Sequence, residues 1–273
     1  MARWMGRRGQ KWITIVLQGA LSVYDHVVFY LGLCLFGLAC LIWSLLALVL
    51  RPMLPVTVGR KLGRAAIRWI FHIFLASLTL SGRFRFDLDA LDALKQERSL
   101  IIAPNHPSLW DVALIVSRLP DVACIMKAEL IGNLFLGGSA RLAGYIRNAT
   151  LRRMVMMAVA DLQRGSHLLL FPEGTRTVRQ PIGPLTGGIG VIARRAGVAV
   201  QTVLIETDSP FLTKGWPVYK RPRLPMTYRV RLGRRFDPPD DSAVFTRELE
   251  QYFLHALARP DTPVAAVKIL AIH

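Results

Sequence analysis

The chain has 273 residues, with 35 Lys and Arg against 18 Asp and Glu for a net charge of +17, yet 52% of it is hydrophobic and its mean hydropathy is +0.36. This pairing excludes a disordered basic tail, and charged residues at 19% fall below the roughly one quarter usual for soluble domains. A nucleic-acid binder would account for the charge but not for the apolar surplus, whereas contact with anionic lipid accounts for both.

Residues 12–24, WITIVLQGALSVY, follow Arg3, Arg7, Arg8 and Lys11. As a helix they reach only about 20 Å, too short to span a bilayer alone. Residues 27–50 then give 24 consecutive uncharged, mostly apolar positions, more than the about 20 needed to cross the hydrocarbon core. They predict a membrane helix. Residues 12–24 would prolong that helix, dip into the interface, or form the first arm of a hairpin across Asp25-His26. Ala20-Leu21-Ser22 resembles a signal-peptide cleavage site, but the apolar run continues past it.

Arg51, Arg60, Lys61, Arg64 and Arg68 follow the run, so basic residues flank it on both sides. The positive-inside rule therefore favours neither orientation of a single crossing, and a hairpin or re-entrant pair with both ends cytoplasmic would also satisfy it. Residues 65–80, AAIRWIFHIFLASLTL, predict an interfacial or buried helix that holds the following domain against lipid. The chain thus divides into membrane anchor and interfacial helices over 1–80 and an α/β domain over 81–273. From Arg51 onward there are 31 basic and 17 acidic residues, a net +14, so the charge is not confined to a tail.

Beyond residue 80, strands are predicted over 84–88, 99–103, 122–126, 167–171, 198–205 and 228–232. Helices are predicted over 110–117, 151–164, 188–196 and 245–258. This alternation predicts an α/β fold, a mostly parallel sheet flanked by helices, behind the N-terminal hydrophobic anchoring segment. Residues 180–190 and 208–225, rich in Pro and Gly, predict irregular loops. Cys34, Cys40 and Cys124 have no metal-ligand spacing and form no disulfide framework.

Two motifs stand at strand ends. Asn105-His106-Pro107-Ser108-Leu109-Trp110-Asp111 follows the run SLIIAP. Ser108 and Asp111 have the spacing of a capping box, which leaves His106 without an assignment. Chemically, His106 can act as a general base, with Asp111 fixing its tautomer and stabilising the imidazolium. Phe171-Pro172-Glu173-Gly174-Thr175-Arg176 follows the run HLLLF. It reads as a surface turn or as a phosphate-binding turn, in which Gly174 permits close approach and Arg176 presents a planar fork of donors. Both motifs would converge at the carboxyl edge of a parallel sheet, where open α/β sheets bind ligands.

In order and spacing, NHPSLWD and FPEGTR resemble the first and third blocks of the glycerolipid acyltransferase superfamily, which includes the lysophosphatidic acid and glycerol-3-phosphate acyltransferases. The resemblance covers roughly residues 80–235. It implies a catalytic dyad of His106 and Asp111 and an acceptor site shaped by Glu173, Gly174, Thr175 and Arg176, with Arg176 on the acceptor phosphate. Lys127-Ala128-Glu129-Leu130 matches the opening of the second block, but Gly144-Tyr145-Ile146-Arg147-Asn148 lacks its acidic-arginine pair, making Arg147 the candidate for that arginine. In the fourth block Thr202 stands where a proline is usual. These departures bear on the acceptor rather than on the chemistry.

The implied reaction is O-acyl transfer from a thioester, on coenzyme A or acyl carrier protein, to a hydroxyl of a lysolipid, 1-acyl-glycerol-3-phosphate foremost, at the cytoplasmic face of a bacterial inner membrane. No cofactor or metal is called for beyond the thioester co-substrate. The alternatives are a phosphate-free acceptor such as an aminolipid, or a basic membrane adaptor without turnover. Hydrolase elbow, phosphate-binding loop and nucleic-acid motifs are absent from the sequence.

Overall fold

The computed structural model describes the backbone of residues 2–148, 150–179 and 181–258, and their side chains from residue 12 onward. Gln180, at the head of the loop predicted over 180–190, and the side chains of Arg3, Arg7, Arg8 and Lys11 lie outside the described residues.

The strands are β1 (Phe84–Asp87), β2 (Ile101–Pro104), β3 (Val122–Lys127), β4 (Ile146–Asn148), β5 (His167–Leu169), β6 (Val200–Thr207) and β7 (Met226–Phe236). They form one sheet in the order β1-β7-β6-β2-β5-β3-β4. Strands β6, β2, β5, β3 and β4 run parallel, β7 returns antiparallel to β6, and β1 is parallel to β7. The central strands read as unbroken apolar runs because both faces are covered. Ile102 packs with Leu114 and Ile115 of α3 (Asp111–Arg118) on one face. Ile101 and Ala103 pack on the other with α6 (Leu151–Gln163), α7 (Gly188–Ala196) and α8 (Ser242–Ala258).

At the N terminus residues 12–24 prolong the helix, the first of the three arrangements open to them in the sequence. Helix α1 runs unbroken over Ala2–Met53, 52 residues and so roughly 78 Å long. No hairpin forms at Asp25-His26, because the charge that would break an apolar helix is neutralised in place. Arg83 Nη2 donates to Asp25 Oδ2 at 3.0 Å and Arg83 Nε to Oδ1 at 2.5 Å, with Arg221 at 3.5 Å. Residues 12–24 are exposed on every side. From Asp25 onward one stripe, including Phe29, Cys40, Ser44 and Ala47, is buried. The predicted span over 27–50 therefore has one face on the protein, and its free apolar face continues into the bare helix before it.

Helix α2 (Val56–Leu80) begins well before the predicted residue 65. Its early basic positions do not all face outward: Arg64 is buried and donates to Ala143 O at 3.0 Å, Asp121 Oδ1 at 2.8 Å and Ser166 Oγ at 2.8 Å, beside Asp161 at 3.3 Å. Glycines set how closely the two helices approach the sheet layer. A Cβ on Gly63 would stand 2.6 Å from Ala143 N, and one on Gly138 of α5 (Gly137–Leu142) would stand 2.0 Å from Ser44 O. Strand β4, α4 (Ala128–Ile131), α5 and the 3-10 helix Asp89–Leu94 had no counterpart in the predicted elements.

Candidate active site

Main-chain pairing of β2 ends at Pro104, but the side chain of Asn105 carries the ladder one step further. Its Oδ1 accepts from Ile205 N at 2.7 Å and its Nδ2 donates to Ile205 O at 2.9 Å. The next residue, His106, is thereby aimed out of the sheet at a fixed point on its carboxyl edge. His106 Nδ1 lies 2.8 Å from Asp111 Oδ2, which also accepts from Ser108 N at 2.8 Å. With a carboxylate as its partner Nδ1 carries the proton, and Nε2 is left as an acceptor.

Asp111 is completely buried and is the first residue of α3. Burial pushes its carboxyl above the usual range, against the His106 hydrogen bond and the Ser108 N–H, which hold it down. Its Oδ1 has no partner among the described residues. Ser108 is not the helix cap that the spacing predicts; Trp110 holds that position, because the chain turns once more before α3 starts. One half of the capping box persists as the Asp111 bond to Ser108 N. The Ser108 hydroxyl instead donates to Phe211 O at 3.1 Å and accepts from the buried Tyr228 hydroxyl at 3.0 Å. Burial pushes that Tyr228 phenol up, out of reach of neutral titration.

The second motif leaves β5, the neighbour of β2, and meets the first directly. Phe171 stacks on the His106 ring, centroids 3.7 Å apart at 20°. Glu173 is buried and cross-ties the site: Oε1 accepts from His106 N at 3.3 Å and Thr177 Oγ1 at 2.6 Å, and Oε2 accepts from Gly183 N at 2.8 Å. Gly174 adopts φ +67°, a left-handed conformation that favours glycine. Thr175 and Arg176 are half-buried. Arg176 Nη1 donates to Leu212 O at 2.9 Å and Thr213 O at 3.0 Å, so part of its guanidinium holds the 208–225 loop beside the dyad.

Arg147 lies in β4, the outer strand, with β5 and β3 between it and β2. It is exposed on the same carboxyl edge but is not brought into contact with His106 or Arg176. Thr202 is fully buried in β6 and donates to Arg234 O at 2.7 Å beside the β6/β7 irregularity between Gln201 and Val203.

Two features were not singled out from the sequence. Phe171 opens the second motif but carries no role in the sequence reading, and its place at the head of that motif is the available signal. The other is that every main-chain N–H from Asn105 to Asp111 is already bonded, to Val203 O, Glu173, Asp111, Leu212 O, Ser108 Oγ and Ser108 O in turn. The first motif offers a base but no spare main-chain donor for an oxyanion. Among the described residues no three His, Cys, Asp or Glu side chains gather as a metal site.

Residues 85–206 match the family described as Acyltransferase. A 1-acyl-sn-glycerol-3-phosphate acyltransferase of Pseudomonas aeruginosa is 24% identical over 237 residues, covering 82% of this chain and 85% of that one. A lyso-ornithine lipid O-acyltransferase of the same organism is 31% identical over 179 residues, covering 64% of this chain and 65% of the relative. The crystal structure of the 1-acyl-sn-glycerophosphate (LPA) acyltransferase PlsC from Thermotoga maritima shares the fold, with TM-score 0.57 and 19% identity over 86% of this chain and 94% of that one.

Proposed function

We propose, for a chain that belongs to the glycerolipid acyltransferase superfamily and is an acyltransferase, that it moves a fatty acyl group from coenzyme A or acyl carrier protein to the free hydroxyl of a lysolipid, 1-acyl-glycerol-3-phosphate foremost. The observation that carries this reading is the His106–Asp111 pair at 2.8 Å, set at the carboxyl edge of a parallel sheet with the FPEGTR turn packed against it.

His106 Nε2 takes the acceptor's hydroxyl proton as that oxygen attacks the thioester carbonyl carbon. The tetrahedral intermediate collapses with cleavage of the carbon–sulfur bond, and the departing thiolate recovers the proton from the imidazolium. Ester and free thiol are the products, and no acyl-enzyme is required. Asp111 holds the proton on Nδ1 and stabilises the imidazolium, while Phe171 fixes the ring plane. Oxyanion stabilisation falls to donors outside the saturated first motif. The remaining guanidinium nitrogens of Arg176 suit an anionic acceptor, with Glu173 and Gly174 shaping the turn that presents them.

Catalysis takes place at a membrane in this reading. The apolar helix α1 supports it, with 42 residues over Trp12–Met53 meeting the length and composition of a span. The net +14 after the apolar run suits contact with an anionic bilayer surface, which this reading takes to be the cytoplasmic face of a bacterial inner membrane. A second reading of the acceptor, a lyso-aminolipid, is favoured by the 31% identity to a lyso-ornithine lipid O-acyltransferase and by the distance of Arg147 from the dyad along the sheet.

The test is incubation of the membrane form with acyl thioester and a panel of phosphate-bearing and phosphate-free lysolipids, with products identified by mass. Acylated lysophosphatidic acid is the expected product, and Arg176→Ala should raise KM for it more than for phosphate-free acceptors. Acylation confined to lyso-aminolipids would select the second reading, and no acyl product from any lysolipid would reject both.

A further inference from the structure

The loop over 208–225 connects the carboxyl end of β6 to the start of β7 at the same edge as His106, since Thr207 pairs with Tyr228. Its base is locked to the site through Leu109 N to Leu212 O at 3.1 Å and through Arg176. Its tip is a tight turn: Lys220 N donates to Pro217 O at 2.9 Å, Trp216 Nε1 donates to Lys220 O at 2.9 Å, and Lys220 Nζ sits 4.9 Å from the Trp216 ring. This rigid turn presents Val218 and Tyr219, 48% and 73% exposed, among the exposed Lys214, Lys220 and Arg223.

Alongside the loop, α1 leaves the protein. Phe29 meets Phe211 edge-on at 5.7 Å, Arg221 approaches Asp25, and the bare apolar residues 12–24 extend outward from that point. The bare stretch of α1 therefore begins beside this loop. Leu80 at the end of α2, 88% exposed, lies on this side too, one residue from Ser81, whose carbonyl accepts from Tyr24 Oη at 2.8 Å.

We propose that residues 214–223 form a second membrane contact, a foot that seats Val218 and Tyr219 at the headgroup level of an anionic bilayer. It would orient the dyad toward the lipid from which the acceptor comes. The inference rests on the membrane reading of α1. An aromatic and aliphatic tip ringed by cations is the composition that partitions to a bilayer interface, and each cation adds attraction to an anionic surface. Continuity with the lipid-facing helix selects a bilayer over an acidic protein as the occupant.

The full chain carrying Tyr219→Cys in a Cys34→Ser background, labelled with an environment-sensitive fluorophore, is reconstituted in vesicles of phosphatidylcholine with or without phosphatidylglycerol. A label in place of Val23 reports on α1 in parallel. Lipids brominated near the headgroup should quench position 219, more strongly with phosphatidylglycerol, and Lys214→Glu with Lys220→Glu should abolish that difference. Quenching at position 23 with position 219 open to aqueous iodide would overturn the foot and leave the membrane reading intact. Shielding of position 219 only when acyl carrier protein is added would assign the surface to the carrier instead. Absence of lipid quenching at both positions would overturn the membrane reading and the foot together.

Discussion

Asp111 separates chemistry from stability at a single residue. Its carboxyl is pushed up by burial, so the folded chain binds that proton more tightly than the unfolded one, and the charged form costs stability as pH rises above the ordinary carboxylate range. Asp111→Asn removes the buried charge and can keep an oxygen where Oδ2 accepts from Ser108 N and His106 Nδ1, but a neutral amide no longer stabilises the imidazolium formed during transfer. Acyl transfer should fall by about a hundred- to ten-thousand-fold, with a melting temperature in detergent no lower than the parent's. Full activity, or an activity loss that merely follows unfolding, would remove Asp111 from the dyad. The adjacency of His106 and Asp111 was legible from their spacing and from the strand that precedes them. The cross-tie from Glu173 was not, because its partners at 106, 177 and 183 meet only after β2 and β5 pair; in sequence it looked like part of an acceptor-binding turn.

The same limit operates among elements. Runs such as 99–103 and 188–196 were legible because a local apolar pattern suffices for a buried strand or an amphipathic helix. Helix α5, sequence GGSARL, has two poor helix formers and no local pattern. Its glycines are explained by neighbouring helices: a Cβ on Gly137 would stand 2.3 Å from Ile131 O of α4, and Gly138 N donates to Ser44 Oγ of α1 at 3.0 Å across a contact with no room for a methyl group. Strand β4 was missed for a related reason, having one buried residue, Ile146, in three. Gly138→Ala should therefore destabilise the chain by about 1–3 kcal/mol and expose α1 to limited proteolysis. Gly187→Ala, whose Cβ meets nothing within 4 Å, is the matched control and should melt with the parent. Equal melting of both variants would mean that α1 is not seated on α5 as described.

Across the whole molecule the two ends of the sheet do different work. The carboxyl edge carries His106, Asp111 and the FPEGTR turn, while the opposite edge holds the ties between α2 and the sheet. There, burial holds His167 below the usual histidine range, opposed by the charges of Asp121 and Glu97. For Asp121, burial would raise the carboxyl, but the Arg64 hydrogen bond overrides it and holds the group low. A histidine depressed in the folded state contributes stability that is present above its unfolded pKa of about 6.5 and is lost as pH falls through the folded value. The depressed Asp121 adds a further loss at lower pH. The parent should thus lose stability in detergent relative to His167→Gln as pH falls from 7 toward 5, with the opposing Asp111 contribution common to both; a constant difference between the two would show that His167 titrates alike in folded and unfolded states. Composition had divided the chain into an apolar anchor and a basic domain, but Arg64 shows some of that charge turned inward, which net charge does not reveal. At the carboxyl edge, the proposed acyl transfer rests on His106 as its base. The direct measurement is single-turnover transfer from acyl thioester to a lysolipid by the full chain in vesicles, parent against His106→Ala, with folding checked by circular dichroism. Near-complete loss of transfer in a folded variant is the predicted result; transfer at the parent's rate would contradict His106 as the base.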